Sequence, residues 1–413
     1  MRYVQSLLCL LLLTTSTFGQ ELPEVNPESV GLSSTVLDQA TEALQAHIDN
    51  ENIAGVVATV IRDGQIAYTK ALGYRDLNRR EPMPTDALFR LYSMTRPITS
   101  LAVMMLWEEG KLRLDDELSE FIPAFSAQRV FLDADTPAIE HTRLRTTEIT
   151  VEHLLTHTSG LGNRNSEIYR SKGVRSRSIS LEQMVDAAAR VPLFEDPGTR
   201  FRYGISTTVL GRVIEIVSGQ SLDQFLAERV FNPLDMKDTV FWASGERANR
   251  LASLYRPSSN GTLQPHAIER LPFTQTPPLL EGGVGLLSTV RDYSRFAQMV
   301  LNQGTLGGYQ LLKPETIALM TSNRIPEALF PLFGRENGYG WGLGFCIAMD
   351  PALFRYPIEK GVFWWDGSAG TRFFIDPQQE MITVIMAQVS PANGQGFREQ
   401  FATLIDAAII DRR

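Results

Sequence analysis

The sequence predicts an α+β fold: one antiparallel sheet built from both ends of the chain, flanked by helices, with a mostly helical subdomain between them. Three observations carry this. Strand-like runs stand near the start, at 55–61 (GVVATVI), and again in the last third. Residues 99–107 (TSLAVMMLW) are apolar all round, so that helix belongs in the middle of the protein. Between about 115 and 245 the pattern is mostly helical. The expected division is an α/β part over about 25–115 and 283–413, with a helical insertion over about 116–282.

Taken in order, residues 34–50 read as a helix, with Val36, Leu37, Ala40, Ala43, Leu44 and Ile48 near helical spacing. The run 55–61 is followed by Asp63-Gly64 and then Gln65-Ile66-Ala67-Tyr68-Thr69, a hairpin with a strong turn signal. The apolar helix stops at Gly110. Arg164, Arg170, Lys172, Arg175 and Arg177 lie in a Ser-rich stretch that reads as a solvated loop rather than a phosphate or nucleic-acid patch. Thr289 with Asp292 reads as a capping box opening a helix to about Leu301. Strand signals follow at 339–349, 361–365, 371–376 and 380–389, with a turn at Asp376-Pro377-Gln378-Gln379. An amphipathic helix over about 395–410 closes the chain.

The 413 residues carry a net charge of −8, which argues against a general nucleic-acid partner and against adsorption to an anionic membrane. Residues 1–19 read as a signal peptide: Arg2 in a short positive start, the apolar run LLCLLLL, then a small-residue end with Gln20 as the expected mature start. The apolar run is far short of the roughly 20 residues that span a bilayer, so no stable membrane anchor is expected after cleavage. An uncleaved anchor, or a lipoprotein through Cys9, fits less well. The expectation is therefore an exported protein, periplasmic or secreted. Cleavage removes Cys9 and leaves Cys346, in the apolar run GFCIAM, as a buried packing residue.

Immediately before the apolar helix stands Phe89-Arg90-Leu91-Tyr92-Ser93-Met94-Thr95-Arg96-Pro97. A Ser at the first turn of a buried helix sits where free N–H groups and the positive dipole end support a developing oxyanion. Arg202-Tyr203-Gly204-Ile205-Ser206 introduces a second helix, and Trp364-Trp365-Asp366-Gly367-Ser368-Ala369-Gly370-Thr371 links two predicted strands. Those three segments, in that order, resemble the serine β-lactamase and penicillin-binding-protein superfamily, nearest to its class C-like branch of esterases and related hydrolases. The stretches at 152–162 (EHLLTHTSGLG), 282–286 (GGVGL) and 339–344 (YGWGLG) look like the same family.

The resemblance implies Ser93 as nucleophile and Tyr203 as the group exchanging protons with it. It also implies an oxyanion hole from the backbone N–H groups of Ser93 and Ser368, with Gly367 completing the strand motif. The implied reaction is acyl transfer through a serine-bound acyl-enzyme to a small-molecule acyl substrate, with no cofactor and no metal. A Tyr pKa of about 10 is too high for a base at neutral pH, so neighbouring cations are expected to lower it.

Three positions depart from the family pattern. Arg96 stands at the family Lys; at i+3 it shares a face with Ser93, but a guanidinium stays protonated and cannot act as base. Ile205 stands where the penicillin-recognising members have Asn. Trp365 occupies the usual Lys position, and Asp366 beside it is expected to repel an anionic acid. These changes lead away from β-lactam and D-Ala-D-Ala chemistry, toward an esterase on small neutral esters or a non-catalytic homologue that binds a ligand through the same cleft; a β-lactamase or D-Ala-D-Ala-type peptidase stands as the third reading. His153 and His157, at i and i+4, are a weak metal pair because Leu154 follows where a zinc helix has Glu. Asp115-Asp116-Glu117 reads as a helix start, and no G-x-S-x-G elbow is present.

Overall fold

In the computed structural model, residues 21–334 and 336–413 are described. The signal-peptide reading of residues 1–19 lies outside them. Among the described residues, no helix is long and apolar enough to cross a membrane.

Helix α1, Ser34–Asp49, starts where Ser33 caps it, its hydroxyl accepting from the Val36 N–H at 3.3 Å. It buries Leu37, Ala40, Leu44 and Ile48, the stripe its spacing predicts. Strands β1 (Gly55–Arg62) and β2 (Gln65–Asp76) form the hairpin. Asp63 and Gly64 turn it with φ of 55° and 70°, the left-handed pair that a two-residue turn between twisted strands requires. The short β3 (Glu81–Pro82) pairs with β2. Five strands come from the far end of the chain: β4 (Tyr339–Trp341), β5 (Cys346–Ala348), β6 (Phe363–Asp366), β7 (Thr371–Asp376) and β8 (Met381–Ala387).

Together they make an antiparallel sheet in the order β4-β5-β6-β7-β8-β1-β2-β3. The two chain ends join where Val57 pairs with Met386. β1 is buried along its whole length because both faces are covered. Val56, Ala58 and Val60 pack with α1 and the closing helix α5 (Phe397–Ala407). Val57 and Ile61 face the larger core, shared with α2 (Thr95–Glu108), α3 (Ser206–Ser218) and α4 (Val290–Leu301). Helix α2 is buried on every side from Thr95 to Leu106.

Three details differ from the sequence expectation. The signal at 339–349 is not one strand but two, β4 and β5, paired across a turn. Gly344 sits in that turn at φ 100°, a conformation side-chain-bearing residues avoid. At the start of α4, the Thr289 hydroxyl caps the Asp292 N–H at 3.1 Å. The Asp292 carboxylate does not complete the box; it accepts from the Asp238 N–H and the Thr239 hydroxyl instead. The middle of the chain is also less helical than its pattern suggests. Alongside α3 and the helix Leu181–Ala189 it contains two small hairpins, Arg129–Phe131 with Thr142–Leu144 and Tyr255–Pro257 with Leu263–Pro265.

Candidate active site

Ser93 lies in a single 3₁₀ turn, Tyr92–Met94, that runs directly into α2. The turn is clamped on both sides. Leu91 N–H donates to Leu286 O at 2.9 Å, Leu286 N–H donates to the Thr95 hydroxyl at 3.2 Å, and Tyr293 OH donates to Met94 O at 3.0 Å. Tyr92, one residue before Ser93, is held at φ 44°, a costly conformation for an aromatic residue that the surrounding bonds enforce. Strand β6 reaches the same turn through Gly367, where a Cβ would stand 2.3 Å from Leu91 O. Any side chain there would push the strand end away from Ser93.

Ser93 and Ser368 line one cleft of about 150 Å³ with Arg96, Tyr203, Ile205 and Arg164. Among the described residues the backbone N–H groups of Ser93 and Ser368 make no backbone hydrogen bond. Tyr203 stands at the cleft wall. The loop 157–162 fixes its backbone: Arg202 N–H donates to His157 O at 2.7 Å and Ile205 N–H to Gly162 O at 3.1 Å. Its ring is enclosed by His157, Trp365, Trp341 and Phe333, with centroids 4.7 to 6.0 Å away. Tyr203 shares the cleft with Ser93, whose side chain is among the neighbours that favour the phenolate. The phenol oxygen accepts from Trp365 Nε1 at 2.8 Å. Trp365 therefore supplies a neutral donor at the position where the family usually places a cation.

Arg96 does reach the Ser93 region, but it lies across the face of Tyr203, its Cζ 4.3 Å from the ring centroid. Its Nη1 donates to the Thr207 hydroxyl at 2.9 Å and stands 3.5 Å from His157 Nε2. Burial and the Arg96 charge push the His157 pKa well down, so the imidazole is neutral and its Nε2 accepts. Among the described residues no carboxylate pairs directly with Arg96, and its Nε has no partner.

The expected lowering of the Tyr203 pKa does not occur. Burial raises it above the ordinary tyrosine value, and Arg96, Ser93 and Trp365 only partly oppose that. At neutral pH the group is a phenol.

A beta-lactamase family model matches residues 37–407. The chain belongs to the beta-lactamase family. It is 33% identical to Protein Rv1367c of Mycobacterium tuberculosis, over 86% of this chain and 90% of that one. It is 29% identical to esterase EstB of Burkholderia gladioli, over 85% and 90%. Among solved structures it is similar to EstCE1, a hydrolase with promiscuous acyltransferase activity, with a TM-score of 0.78 and 26% identity over 91% of this chain and 99% of that one. The beta-lactamase/transpeptidase-like fold and the hydrolase class follow from this membership.

Against that family background, two other sequence expectations are corrected. Asp366 does not line the cleft. Alternation along β6 sends Trp365 to the Tyr203 side and Asp366 to the opposite one, where Arg372 and Arg398 hold it at 3.0 and 3.3 Å. The arginine stretch is not simply solvated either. Arg170 and Lys172 are exposed, but Arg164, Arg175 and Arg177 turn inward. Ile205 is buried at the cleft floor, as an apolar side chain in that position should be. His153 caps its own short helix, its Nδ1 accepting from Thr150 N–H at 3.2 Å. Cys346 is fully buried, with its thiol pKa pushed well up.

Several site residues were missed in the sequence. Thr207 and His157 hold Arg96, and Trp341 braces the Tyr203 ring. Trp341 and His157 stood inside segments noted for family likeness, which was the available signal. Thr207 carried none.

Proposed function

We propose that this beta-lactamase-family chain is an exported serine esterase that acylates Ser93 with small esters. The observation that carries this is the placing of Ser93, Tyr203 and Ser368 along one cleft, with the Ser93 side chain among the groups acting on the Tyr203 phenol. Ser93 Oγ attacks the ester carbonyl while its proton passes to the phenolate oxygen of the deprotonated fraction of Tyr203, which becomes a phenol. The developing oxyanion is received by the two N–H groups. Tyr203 returns the proton to the leaving alcohol, and water releases the acyl group by the reverse sequence. Trp365 Nε1–H and the Arg96 charge stabilise the phenolate from which Tyr203 acts as base. Export is supported by the leader pattern of residues 1–19, and the esterase reading by the likeness to EstB and EstCE1.

Purified mature protein should hydrolyse short-chain p-nitrophenyl esters. Because Tyr203 starts as a phenol with a raised pKa, the fraction able to act as base grows with pH. Log kcat/KM should therefore rise with a slope approaching about one between pH 7 and 9, without a plateau. A plateau near neutral pH would show a base of lower pKa. Absence of turnover on all short-chain esters would remove the proposal.

Arg96→Lys should raise kcat/KM by about tenfold or more. The site buries this cation without a direct carboxylate partner, so a lysine there would have its pKa pulled down and become a usable base beside Ser93. An unchanged or lower rate would show that the site is fitted to the guanidinium through Thr207 and His157.

A further inference from the structure

The cleft beside Ser93 carries a cation that the strand motif lacks. Arg164 lines the same cleft as Ser93 and Arg96, yet comes from the loop after 157–162 rather than from β6. Its charge is poorly neutralised. Arg175 takes both neighbouring carboxylates, with Glu269 at 2.9 to 3.1 Å and Glu281 at 2.9 to 3.0 Å. Arg164 Nη1 is left at 3.7 Å from Glu269 and 3.9 Å from Glu281, beyond hydrogen-bonding reach, and has no hydrogen-bond partner. Arg177, also buried, spends its charge on the face of Phe273 at 4.0 Å. Among the described residues, Arg96, Arg164, Arg175 and Arg177 surround this wall against two carboxylates, Glu269 and Glu281, of which Glu281 also lines the cleft and is held by Arg175. The local field is positive although the whole chain is acidic.

The strand-motif residues Trp365 and Asp366 are both turned to other partners. Trp365 is occupied by Tyr203, and Asp366 is neutralised on the other side of the strand. Nothing in that motif repels an anion.

We propose that the cleft selects esters bearing a free carboxylate, which Arg164 binds while Ser93 attacks the ester carbonyl. This rests on the esterase reading for turnover but not for binding. An ionised carboxylate meeting an under-neutralised guanidinium at a half-enclosed wall forms a charge-assisted bond that a methyl ester cannot. The half-esters of short dicarboxylic acids are the chemical class that fits, since both groups must lie within one small cleft.

The test is binding to the Ser93→Ala protein, which needs no turnover. Monomethyl glutarate and dimethyl glutarate are compared by calorimetry. The anionic half-ester should bind at least about tenfold tighter, and Arg164→Gln added to this protein should erase the difference. Arg164→Lys, which keeps the charge but loses the planar fork, should retain part of it. A thermal melt of each variant separates lost binding from lost fold, and the lysine variant carries the test if the glutamine variant does not fold. If the two esters bind within about twofold of each other, if neither binds, or if Arg164→Gln leaves the ratio unchanged, the proposal is overturned. Turnover of p-nitrophenyl esters by the wild type decides the esterase reading separately.

Discussion

Ser93→Ala should lower kcat/KM on short acyl esters about 10,000-fold while leaving the fold intact. The acyl-enzyme cannot form without Oγ, and Ser93 is the cleft hydroxyl that acts on the Tyr203 phenol. The fold should not suffer, because the turn is held by its backbone and neighbours. Leu286, Tyr293 and Thr95 make those bonds, and none uses the Ser93 side chain. The melting temperature should stay within a few degrees of wild type, since a loss of about 1 kcal/mol shifts a domain this size only slightly. Retention of a tenth of the wild-type rate would place the nucleophile elsewhere.

Tyr203→Phe should lower kcat about 1,000-fold, the range expected when a proton-transfer group is removed. This change is informative because it spares almost everything else. The ring remains for Arg96 to cover at 4.3 Å and for Trp341 and Trp365 to pack against. Only the oxygen goes. Its loss leaves the Trp365 Nε1–H without its 2.8 Å acceptor, a cost of about 1–3 kcal/mol in stability. The variant should therefore melt measurably earlier than Ser93→Ala but bind substrate with a similar KM. A variant with near wild-type kcat would show that the phenol positions Ser93 without carrying its proton. Direct attack assisted by water would then be the better mechanism.

The parts of this molecule that were legible in the sequence are those decided locally. α1 follows from its apolar spacing and Ser33, the first hairpin from Asp63-Gly64, and the buried α2 from a run with no polar face. Ser93, Tyr203 and Gly367 were legible as motifs, and the structure brings them to one place. The misreadings came from partners distant in the chain. Arg175 looks solvated until Glu269 and Glu281, about a hundred residues on, are folded against it. Tyr203 was expected to be activated by Arg96, but the aromatic wall of Trp341, Trp365 and His157 adds a burial cost that no local pattern shows. Asp366 was open to a better reading: strand alternation alone separates it from Trp365.

Every step proposed above requires Ser93 to be a working nucleophile. Its most direct test is labelling by a fluorophosphonate probe, followed by intact mass. The wild-type protein should gain the mass of one phosphonyl group, Tyr203→Phe should gain it more slowly, and Ser93→Ala should gain none. An unlabelled wild type, or equal labelling of Ser93→Ala, would contradict the account.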